Sequence, residues 1–298
     1  MIVLIAAVGL WWAIARIPDI DPSPTLASGF ADQTFLLIGS DSRADLPDDL
    51  EGAFGSFGGE RSDVVILARP SGGTLRLLSL PRDLKVDVPG HGTDKLNAAF
   101  ALGGAPLLVD TVTAATGVPI HHVVEIDFAG FADLVDSVGG VDLEFPYAAR
   151  DAKSGLTVEA GTTHVDGATA LAFARSRSYQ ELRDGSWVSI DADDIGRTGR
   201  QQQALEALLG QVASLGGAPR LPAFLLALEN AVRVDDRLNA FNALVAGAGM
   251  WRADIEGATV PVRFSNEGGV SYVVFETEAA TAMLNRFLAG RLLEPETP

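Results

Sequence analysis

The feature that most constrains the fold is the alternation of short apolar runs with longer helical patterns. Strand-length runs of Val, Ile and Leu recur as "TFLLIG", "DVVILAR", "TLRLLSL", "HHVVEI" and "VDLEF". "TFLLIG" is apolar throughout, as in a central strand buried on both faces. The patterns "KLNAAFALGG", "PLLVDTVTAATG" and "DFAGFADLVDSVGG" have the period of amphipathic helices. We therefore predict an α/β fold in three layers, with a central mixed β-sheet flanked by helices.

The rest of the chain extends the same domain. "DGATALAFARSRS" predicts a helix with Asp166 as its N-cap, and the longer pattern ending in "SLGG" predicts a helix capped by Asp193 or Asp194. Helices are also predicted at residues 221–232 and 238–251, then strands "ATVPVRF" and "VSYVVF" and a final helix "EAATAMLNRFLAG". Since neither a repeat nor a second domain is evident, residues 34–298 are assigned to one domain.

The N-terminal "MIVLIAAVGLWWAIARI" has fifteen uncharged residues before Arg16, whereas a bilayer span needs about 20. The Trp11-Trp12 pair suits a membrane interface, so residues 1–17 are predicted to be a membrane anchor, shortened as in a truncated span. A cleaved signal peptide is the alternative, but it lacks the charged leading region. Residues 18–33, rich in Pro, Ser and Asp, read as a linker, and their acidity favours a domain outside the cytoplasm.

Composition excludes several function classes. The chain has 39 acidic and 22 basic residues, a net charge of −17, which disfavours nucleic acid as a partner. It has no cysteine, so disulfides and cysteine-based metal sites are excluded. The sequence has no nucleotide-binding P-loop, dinucleotide fingerprint or nucleophile elbow, and its four histidines are weak candidates for catalysis or zinc binding. An anionic ligand must be bound by a local cluster of cations.

Polar residues at the predicted strand ends offer such chemistry. Asp41 follows the first strand and Asp63 begins the second, so the two carboxylates could share a Mg²⁺ that bridges to a phosphate. Aspartate is also common wherever a strand meets a turn. Arg82 and Asp83 follow the third strand, where the arginine could grip a phosphate or form a surface ion pair with Asp83.

Lys95 and Asn97 lie near a predicted helix start, where a cation and free backbone N–H groups favour an anion. Ordinary capping by Asp94 explains the same pattern.

The stretch "ARSRSYQELRDGSWVSIDADDIGRTGRQQQAL" gathers arginines in an acidic chain. Arg175 and Arg177 would point the same way on an extended backbone, and Arg197 and Gln201 share a helix face, with Arg200 nearby. The intervening segment reads as a long lid or binding loop. The arginines form either an anion site or a salt-bridge network with the acidic residues Glu181, Asp191, Asp193 and Asp194.

Seven motifs in order resemble the LytR-CpsA-Psr family, most closely its actinobacterial branch. They are "FLLIGSDSR", "RSDVVIL", "LLSLPRDLKVDVPG", "DKLNAAFALGG", "VVEIDFAGFADLVDSVGGVDL", "GTTHVDGATALAFARSRSY" and "DDIGRTGRQQQAL". The resemblance implies a single-pass cell-membrane protein with an extracytoplasmic domain. It also implies a phosphotransferase that moves a glycopolymer from a polyprenyl-pyrophosphate carrier to a hydroxyl of peptidoglycan. Mg²⁺ (or Mn²⁺) would assist, and an apolar tunnel would hold the lipid tail, although a tunnel wall and a core face look alike in sequence.

The resemblance also implies roles for individual residues. Asp41 and Asp63 would hold the metal. Arg82 would bind pyrophosphate and act in catalysis, with Asp83 and Asp194 as candidate proton acceptors by position. The other residues of the pyrophosphate pocket would be Lys95, Asn97, Arg175, Arg177, Arg197, Arg200 and Gln201. Val64 stands where the family usually has threonine. Two alternatives remain: a non-catalytic polyprenyl-phosphate-binding scaffold, and a lipid-linked pyrophosphatase.

Overall fold

A computed structural model describes residues 19–20, 26–29, 33–40, 62–190, 194–214, 220–238 and 254–292. The predicted anchor, most of the predicted linker and Asp41 lie outside these residues. The same is true of nearly all of the helix predicted at residues 238–251.

A seven-stranded mixed sheet forms the middle layer, in the strand order β1-β14-β7-β2-β3-β4-β15. In its centre β2 pairs parallel with β7 and antiparallel with β3, as predicted for "TFLLIG". β4 continues the sheet antiparallel to β3, and β15 lies parallel to β4 at one edge. The strands are β1 (Asp19–Ile20), β2 (Phe35–Ser40), β3 (Ser62–Ser71), β4 (Thr74–Ser79), β7 (His122–Asp127), β14 (Val232–Asp235) and β15 (Asp254–Thr259).

Helices cover both faces of this sheet, which confirms the three-layer prediction. Leu36, Val65 and Leu78 point to one face, where they join a core with the first and last helices. Ile66 and Leu77 point to the other face, which the four middle helices cover. The helices are α1 (Leu96–Thr116), α2 (Phe128–Ser137), α3 (Gly167–Arg175), α4 (Asp194–Ser214), α5 (Leu221–Ala231) and α6 (Thr277–Leu288). Asp166 caps α3 as predicted, because its carboxylate accepts a hydrogen bond from the backbone N–H of Thr169.

The described part of the chain also forms four smaller sheets. The largest has the order β10-β9-β12-β13 and includes the segment predicted as a long loop. That segment is a hairpin whose turn places Asp184 and Gly185 at φ 51° and 77°, the conformation that two-residue hairpins favour. The strands are β5 (Lys85–Val88), β6 (Gly92–Lys95), β8 (Val141–Phe145), β9 (Ala149–Asp151), β10 (Leu156–Val158), β11 (Gly161–Val165), β12 (Gln180–Arg183), β13 (Ser186–Ser189), β16 (Val262–Glu267) and β17 (Val270–Phe275).

Two of the predicted elements are corrected. The prediction of one strand in "ATVPVRF" is wrong, because the run covers the end of β15 and the start of β16 with Pro261 between them. The helix predicted at residues 221–232 ends at Ala231, and the next four residues form β14, which pairs antiparallel with β7. Proline cannot donate to a strand ladder, which accounts for the first break.

Among the described residues, α1 is long and apolar enough to cross a membrane. It bends at Gly103 and Gly104, whose backbone angles are not helical, so the two helical patterns predicted there are two segments of one element. Leu108, Val109 and Val112 are fully buried in the core. We therefore assign α1 to the core layer, and the anchor at residues 1–17 remains a prediction.

Candidate active site

Strand ends from four neighbouring strands meet at one edge of the central sheet. Ser40 ends β2 and is paired with Ser62 at the start of β3, so Asp63 lies at this edge. β7 ends here beside β2, since Asp127 is the register partner of Ser40. β4 runs toward the same edge and leads into Pro81 and Arg82. The antiparallel register of β3 thus brings a carboxylate from its start beside an arginine that follows β4.

Two arginines converge on the carboxylate of Asp63. Arg82 Nη1 lies 2.5 Å from Asp63 Oδ1, and Arg177 Nη2 lies 3.4 Å from Asp63 Oδ2. The side chains of Arg82 and Asp63 are 14% and 11% exposed, whereas that of Arg177 is 56% exposed. One carboxylate between two guanidinium groups leaves a net positive charge, and guanidinium forks match phosphate oxygens. The cluster therefore suits an anion.

Asp83 and Lys95 extend the cluster on the far side of Arg82. Lys95 Nζ lies 3.2 Å from Asp83 Oδ1, and Arg82 Nε lies 3.9 Å from Asp83 Oδ2. The predicted Arg82–Asp83 ion pair is therefore present as a longer contact, and Arg82 is shared between Asp63 and Asp83. This chain of alternating charges fixes the guanidinium of Arg82 between two carboxylates.

The start of α1 differs from the capping alternative. Lys95, not Asp94, occupies the N-cap position, and its side chain makes no capping hydrogen bond. Asp94 Oδ1 instead accepts a hydrogen bond from the backbone N–H of Lys95 at 2.7 Å. The backbone N–H of Asn97 donates to the carbonyl of Arg82 at 3.0 Å. This hydrogen bond ties the first turn of α1 to the Arg82 segment.

The prediction that Arg175 and Arg177 share an extended backbone is wrong. Arg175 is the last residue of α3, and Ser176 is its C-cap. The guanidinium of Arg175 lies over the ring of Phe128, 5.0 Å from its centroid, at the start of α2 beside the end of β7. The helix therefore turns Arg175 toward α2, while Arg177 in the following loop contacts Asp63.

Sequence reasoning missed Asp151, which holds this loop. Its carboxylate is fully buried, and Oδ2 accepts hydrogen bonds from the hydroxyl of Ser176 at 2.6 Å and from the backbone N–H groups of Arg177 and Ser178 at 2.9 and 2.7 Å. Burial alone would raise the pKa of Asp151, but the hydrogen bonds, first among them that from Ser176, lower it overall. The only signal in the sequence was an aspartate in a polar turn before "KSG".

The face of α4 supplies a buried polar layer behind the loop. Arg197, Arg200 and Gln201 are 2%, 6% and 6% exposed. Arg200 Nη2 donates to the carbonyl of Ser176 at 2.8 Å, and its guanidinium lies 4.9 Å from the centroid of the Tyr179 ring. Asp194 begins the helix, but its side chain lies outside the described residues.

The second glutamine of the run, Gln202, attaches α4 to the central sheet. Gln202 Oε1 accepts a hydrogen bond from the hydroxyl of Ser79, at the end of β4, at 2.9 Å. The helix crosses β15 closely at Gly257, where an added Cβ would lie 1.9 Å from Gln202 Nε2. Of the acidic residues named in the salt-bridge alternative, Glu181 pairs with Arg183 at 2.7 Å, an arginine outside the four of that prediction.

A cleft of about 870 Å³ runs beside α4. Its walls include the rings of Phe173 and Tyr179, the guanidinium of Arg200, and Glu144 and Glu206. Burial, together with the charge of Glu181, raises the pKa of Tyr179 to about 12. Carboxylates in the wall do not suit a hydrocarbon tail. α5 packs the partly buried side chains of Phe224 and Leu228 against the core.

The donor set at the sheet edge fits a hard cation. Each carboxylate oxygen of Asp63 can bind a cation through a second lone pair while it accepts a hydrogen bond from an arginine. The buried hydroxyls of Ser40 and Ser62 have no hydrogen-bond partner within the described part of the chain. Mg²⁺ needs one or two carboxylates when waters and phosphates complete its shell. The described residues contain no group of three or more His, Cys, Asp or Glu side chains arranged for a metal, and Asp41 lies outside them.

The side chain of Val64, the residue that departs from the family pattern, packs against side chains other than that of Asp63. It packs with the apolar cluster of Ile66 and Leu77 on the α4 side of the sheet. It also covers Gly39, where an added Cβ would lie 2.7 Å from Val64 Cβ.

The buried histidines hold strands together. His121 Nδ1 accepts a hydrogen bond from the backbone N–H of Thr34 at 3.1 Å, and burial lowers the pKa of this histidine. His122 lies against Asp235 of β14 at 3.2 Å.

Comparison with curated proteins finds relatives in cell-wall biosynthesis. The chain is 40% identical over 220 residues to the probable cell wall biosynthesis protein LcpB of Corynebacterium glutamicum, covering 72% of this chain and 50% of that protein. It is 35% identical over 222 residues to the polyisoprenyl-teichoic acid–peptidoglycan teichoic acid transferase TagU of Halalkalibacterium halodurans, covering 73% of this chain and 62% of that protein. The matches thus span about half to three fifths of these relatives.

Solved structures share the fold. A LytR-Csp2A-Psr enzyme from Actinomyces oris superposes with a TM-score of 0.74 at 26% identity, covering 91% of this chain and 96% of that one. A family protein, YwtF (TagT), with bound octaprenyl pyrophosphate lipid has a TM-score of 0.63 at 23% identity, covering 91% and 95%, and shows the fold alone. The LytR_cpsA_psr family model matches residues 22–288. This match covers most of the chain and includes every motif quoted above. The chain therefore belongs to the LytR_cpsA_psr family.

Proposed function

We propose that the domain is a phosphotransferase that moves a glycopolymer from a polyprenyl-pyrophosphate carrier to a hydroxyl of peptidoglycan. The observation that carries this proposal is the convergence of Arg82 and Arg177 on Asp63 at the sheet edge. A pyrophosphate carries several negative charges, and a chain of net charge −17 can bind it only where cations are concentrated. The described residues concentrate cations at this edge.

The relatives support the class of substrate. TagU of Halalkalibacterium halodurans is named as a transferase of teichoic acid from a polyisoprenyl carrier to peptidoglycan. A structure of the same fold holds octaprenyl pyrophosphate. For this chain, Arg82, Arg177 and Lys95 would bind the diphosphate, and the buried Arg197, Arg200 and Gln201 would support them from α4. Arg175 and Asn97 belong to the same proposed pocket.

The reaction forms one bond and breaks one. An acceptor hydroxyl oxygen attacks the phosphorus that carries the polymer, and the bond from that phosphorus to the bridging oxygen breaks. Polyprenyl phosphate leaves with the electron pair, and a phosphodiester joins polymer and acceptor. Charge builds on the bridging oxygen and the equatorial oxygens, so the guanidinium groups stabilise the transition state by position and charge.

Asp63, with Asp41, would hold Mg²⁺ (or Mn²⁺), which when bound neutralises phosphate charge as a Lewis acid. Asp83 lies between Lys95 and Arg82, so we assign it first to orienting these cations. Asp83 and Asp194 remain the candidates for accepting the hydroxyl proton. We also propose that the domain lies on the outer side of the cell membrane, attached through an anchor at residues 1–17.

Transfer from an isolated lipid-linked saccharide tests the proposal. The chain is incubated with a radiolabelled polyprenyl-pyrophosphate saccharide, Mg²⁺ and purified peptidoglycan, and label in the insoluble wall and free polyprenyl phosphate are measured. We expect both products with the wild type, and a loss of at least about a hundredfold with Arg82→Ala. The matched control is Arg263→Ala, which removes an exposed arginine on β16.

Each other outcome selects an alternative. Polyprenyl phosphate without wall-bound label identifies a lipid-linked pyrophosphatase. Lipid binding without either product identifies a non-catalytic scaffold. Equal losses in Arg82→Ala and Arg263→Ala would refute the assignment of the site.

A further inference from the structure

The four-stranded sheet β10-β9-β12-β13 turns one face to solvent. β9 and β10 alternate in burial, since Ala149, Asp151 and Leu156 are buried whereas Arg150 and Thr157 are exposed. β13 is exposed along its whole length. Side chains alternate across a strand, and paired residues share a face. The register of the four strands therefore places the side chains that share a face with Arg150 next to one another. We name this set the platform; its described residues are the exposed Arg150, Thr157, Leu182, Trp187 and Ser189 and the half-buried Gln180.

The platform presents an ordered aromatic ring. Trp187 is 36% exposed, so part of its indole ring faces solvent. The guanidinium of Arg150 stacks 4.1 Å from the centroid of the Trp187 ring, and its Nε donates to Gln180 Oε1 at 3.0 Å. Three side chains on three strands thus hold one another in place. An ordered surface loses little conformational entropy when it binds a partner.

The chemistry of the platform suits a saccharide. A flat indole ring stacks on the C–H face of a sugar ring, and the amide of Gln180 and the hydroxyls of Thr157 and Ser189 can donate to or accept from sugar hydroxyls. The six platform residues include one cation and no carboxylate, in a chain of net charge −17. This face therefore does not repel a glycan that carries carboxylates.

The platform also adjoins the arginine cluster. Gln180 follows Arg177 by three residues, so their Cα atoms are at most about 10 Å apart. Asp151, beside Arg150 on β9, holds the loop that carries Arg177. A sugar strand on the platform would therefore lie within a short oligosaccharide length of the reacting phosphate.

We propose that the platform binds the glycan strand of the peptidoglycan acceptor, an inference that rests on the proposed function for the identity of that acceptor. The donor is held by its diphosphate and can diffuse into a pocket. The acceptor is a strand of an insoluble network and cannot thread a closed cavity, so it needs an open face. Stacking on Trp187 would hold the strand while one hydroxyl reaches the donor phosphorus.

Sedimentation with purified peptidoglycan, stripped of its covalent glycopolymer, tests the proposal. The full chain in detergent is mixed with increasing amounts of sacculi, and the bound fraction gives an apparent Kd. We expect Trp187→Ala to weaken binding about tenfold, the effect of removing one aromatic contact, and Trp187→Phe to restore most of it. Phe264→Ala is the matched control, since Phe264 is 58% exposed on another hairpin.

The outcomes separate this inference from the proposed function. Unchanged binding in Trp187→Ala, or equal weakening in Phe264→Ala, overturns the platform. Binding of lipid-free glycopolymer, with no binding to stripped sacculi, overturns the choice of acceptor over donor. If the wild type transfers no saccharide yet binds sacculi through Trp187, the proposed function fails and the platform stands. Unchanged thermal midpoints show that the variants are folded.

Discussion

The loop after α3 and the face of α4 both carry arginines, but they expose them differently. The side chain of Arg177 in the loop is 56% exposed, whereas Arg197 and Arg200 on α4 are 2% and 6% exposed. An exposed arginine can adjust to a ligand, while a buried one is fixed by its surroundings and costs stability when it is removed. The difference suggests that the loop supplies contact with the ligand and α4 supplies rigidity.

The two regions meet at the tripeptide Ser176 to Ser178. Asp151 accepts hydrogen bonds from the N–H groups of Arg177 and Ser178, and Arg200 donates to the carbonyl of Ser176. The backbone that carries Arg177 is therefore held from both sides while its side chain reaches Asp63. Changes to the supports should affect folding, and a change to Arg177 should affect binding.

The largest effect on stability is expected for Asp151→Ala. The change leaves the Ser176 hydroxyl and two backbone N–H groups without their acceptor in a buried place, so we expect a loss of about 3–5 kcal/mol. Urea unfolding measures it. Asp87→Ala, at an exposed position on β5, should stay within about 0.5 kcal/mol of the wild type; a similar value for both variants would show that Asp151 is not a support.

Arg200→Ala is expected to cost about 2–3 kcal/mol, since it removes a charged hydrogen bond and the contact with the Tyr179 ring. The same unfolding measurement applies. A loss below about 0.5 kcal/mol, the value expected for an exposed arginine, would remove the distinction between α4 and the loop.

The support from Asp151 should depend on pH. Its folded-state pKa lies below the ordinary value of 3.8, so its stabilisation is fully present above that value and is lost as pH falls through the lowered pKa. We expect Asp151→Asn to be about 1–2 kcal/mol less stable than the wild type at pH 6. This difference should shrink at pH values below 3.8. A difference that stays constant down to pH 2.5 would contradict the role of the ionised carboxylate.

Arg177→Ala should have the smallest effect on stability, below about 0.5 kcal/mol, because its ion pair with Asp63 is 3.4 Å long and its own side chain is 56% exposed. Its affinity for a soluble prenyl pyrophosphate, measured by calorimetry, should nevertheless fall about tenfold or more. Arg177→Lys should recover part of it, since the charge remains without the fork. A stability loss as large as that of Arg200→Ala would place Arg177 among the supports.

Local pattern was sufficient for most of the fold. The apolar runs of β2, β3, β4 and β7 and the capped start of α3 could be read from neighbouring residues. The local pattern failed to predict an element where its structure depends on pairing with residues distant in sequence. β14 is only four residues long and is stabilised by its pairing with β7 and by Asp235, whose carboxylate accepts from the N–H of Val123. The loop read as a lid is a hairpin because β12 also pairs with β9.

The candidate site shows the same division. Arg82, Asp63 and Lys95 were singled out by position at strand and helix ends, and the structure brings them into one chain of contacts. The prediction for Arg175 was wrong because α3 continues through this residue, so its backbone is helical and not extended. Asp151 was missed because the donors that tie its carboxylate to the Arg177 loop lie 25 to 27 residues away in sequence.

The sequence by itself determined the three-layer α/β class, the family and the residue types of the anion site, because hydrophobic period and motif order are local properties of the chain. Only the tertiary structure decided which arginines are exposed and which are buried. It also decided what holds the Arg177 loop and that Trp187 lies on an open face. Burial and hydrogen-bond partners depend on contacts between distant segments, and these exist only once the sheet has set its register.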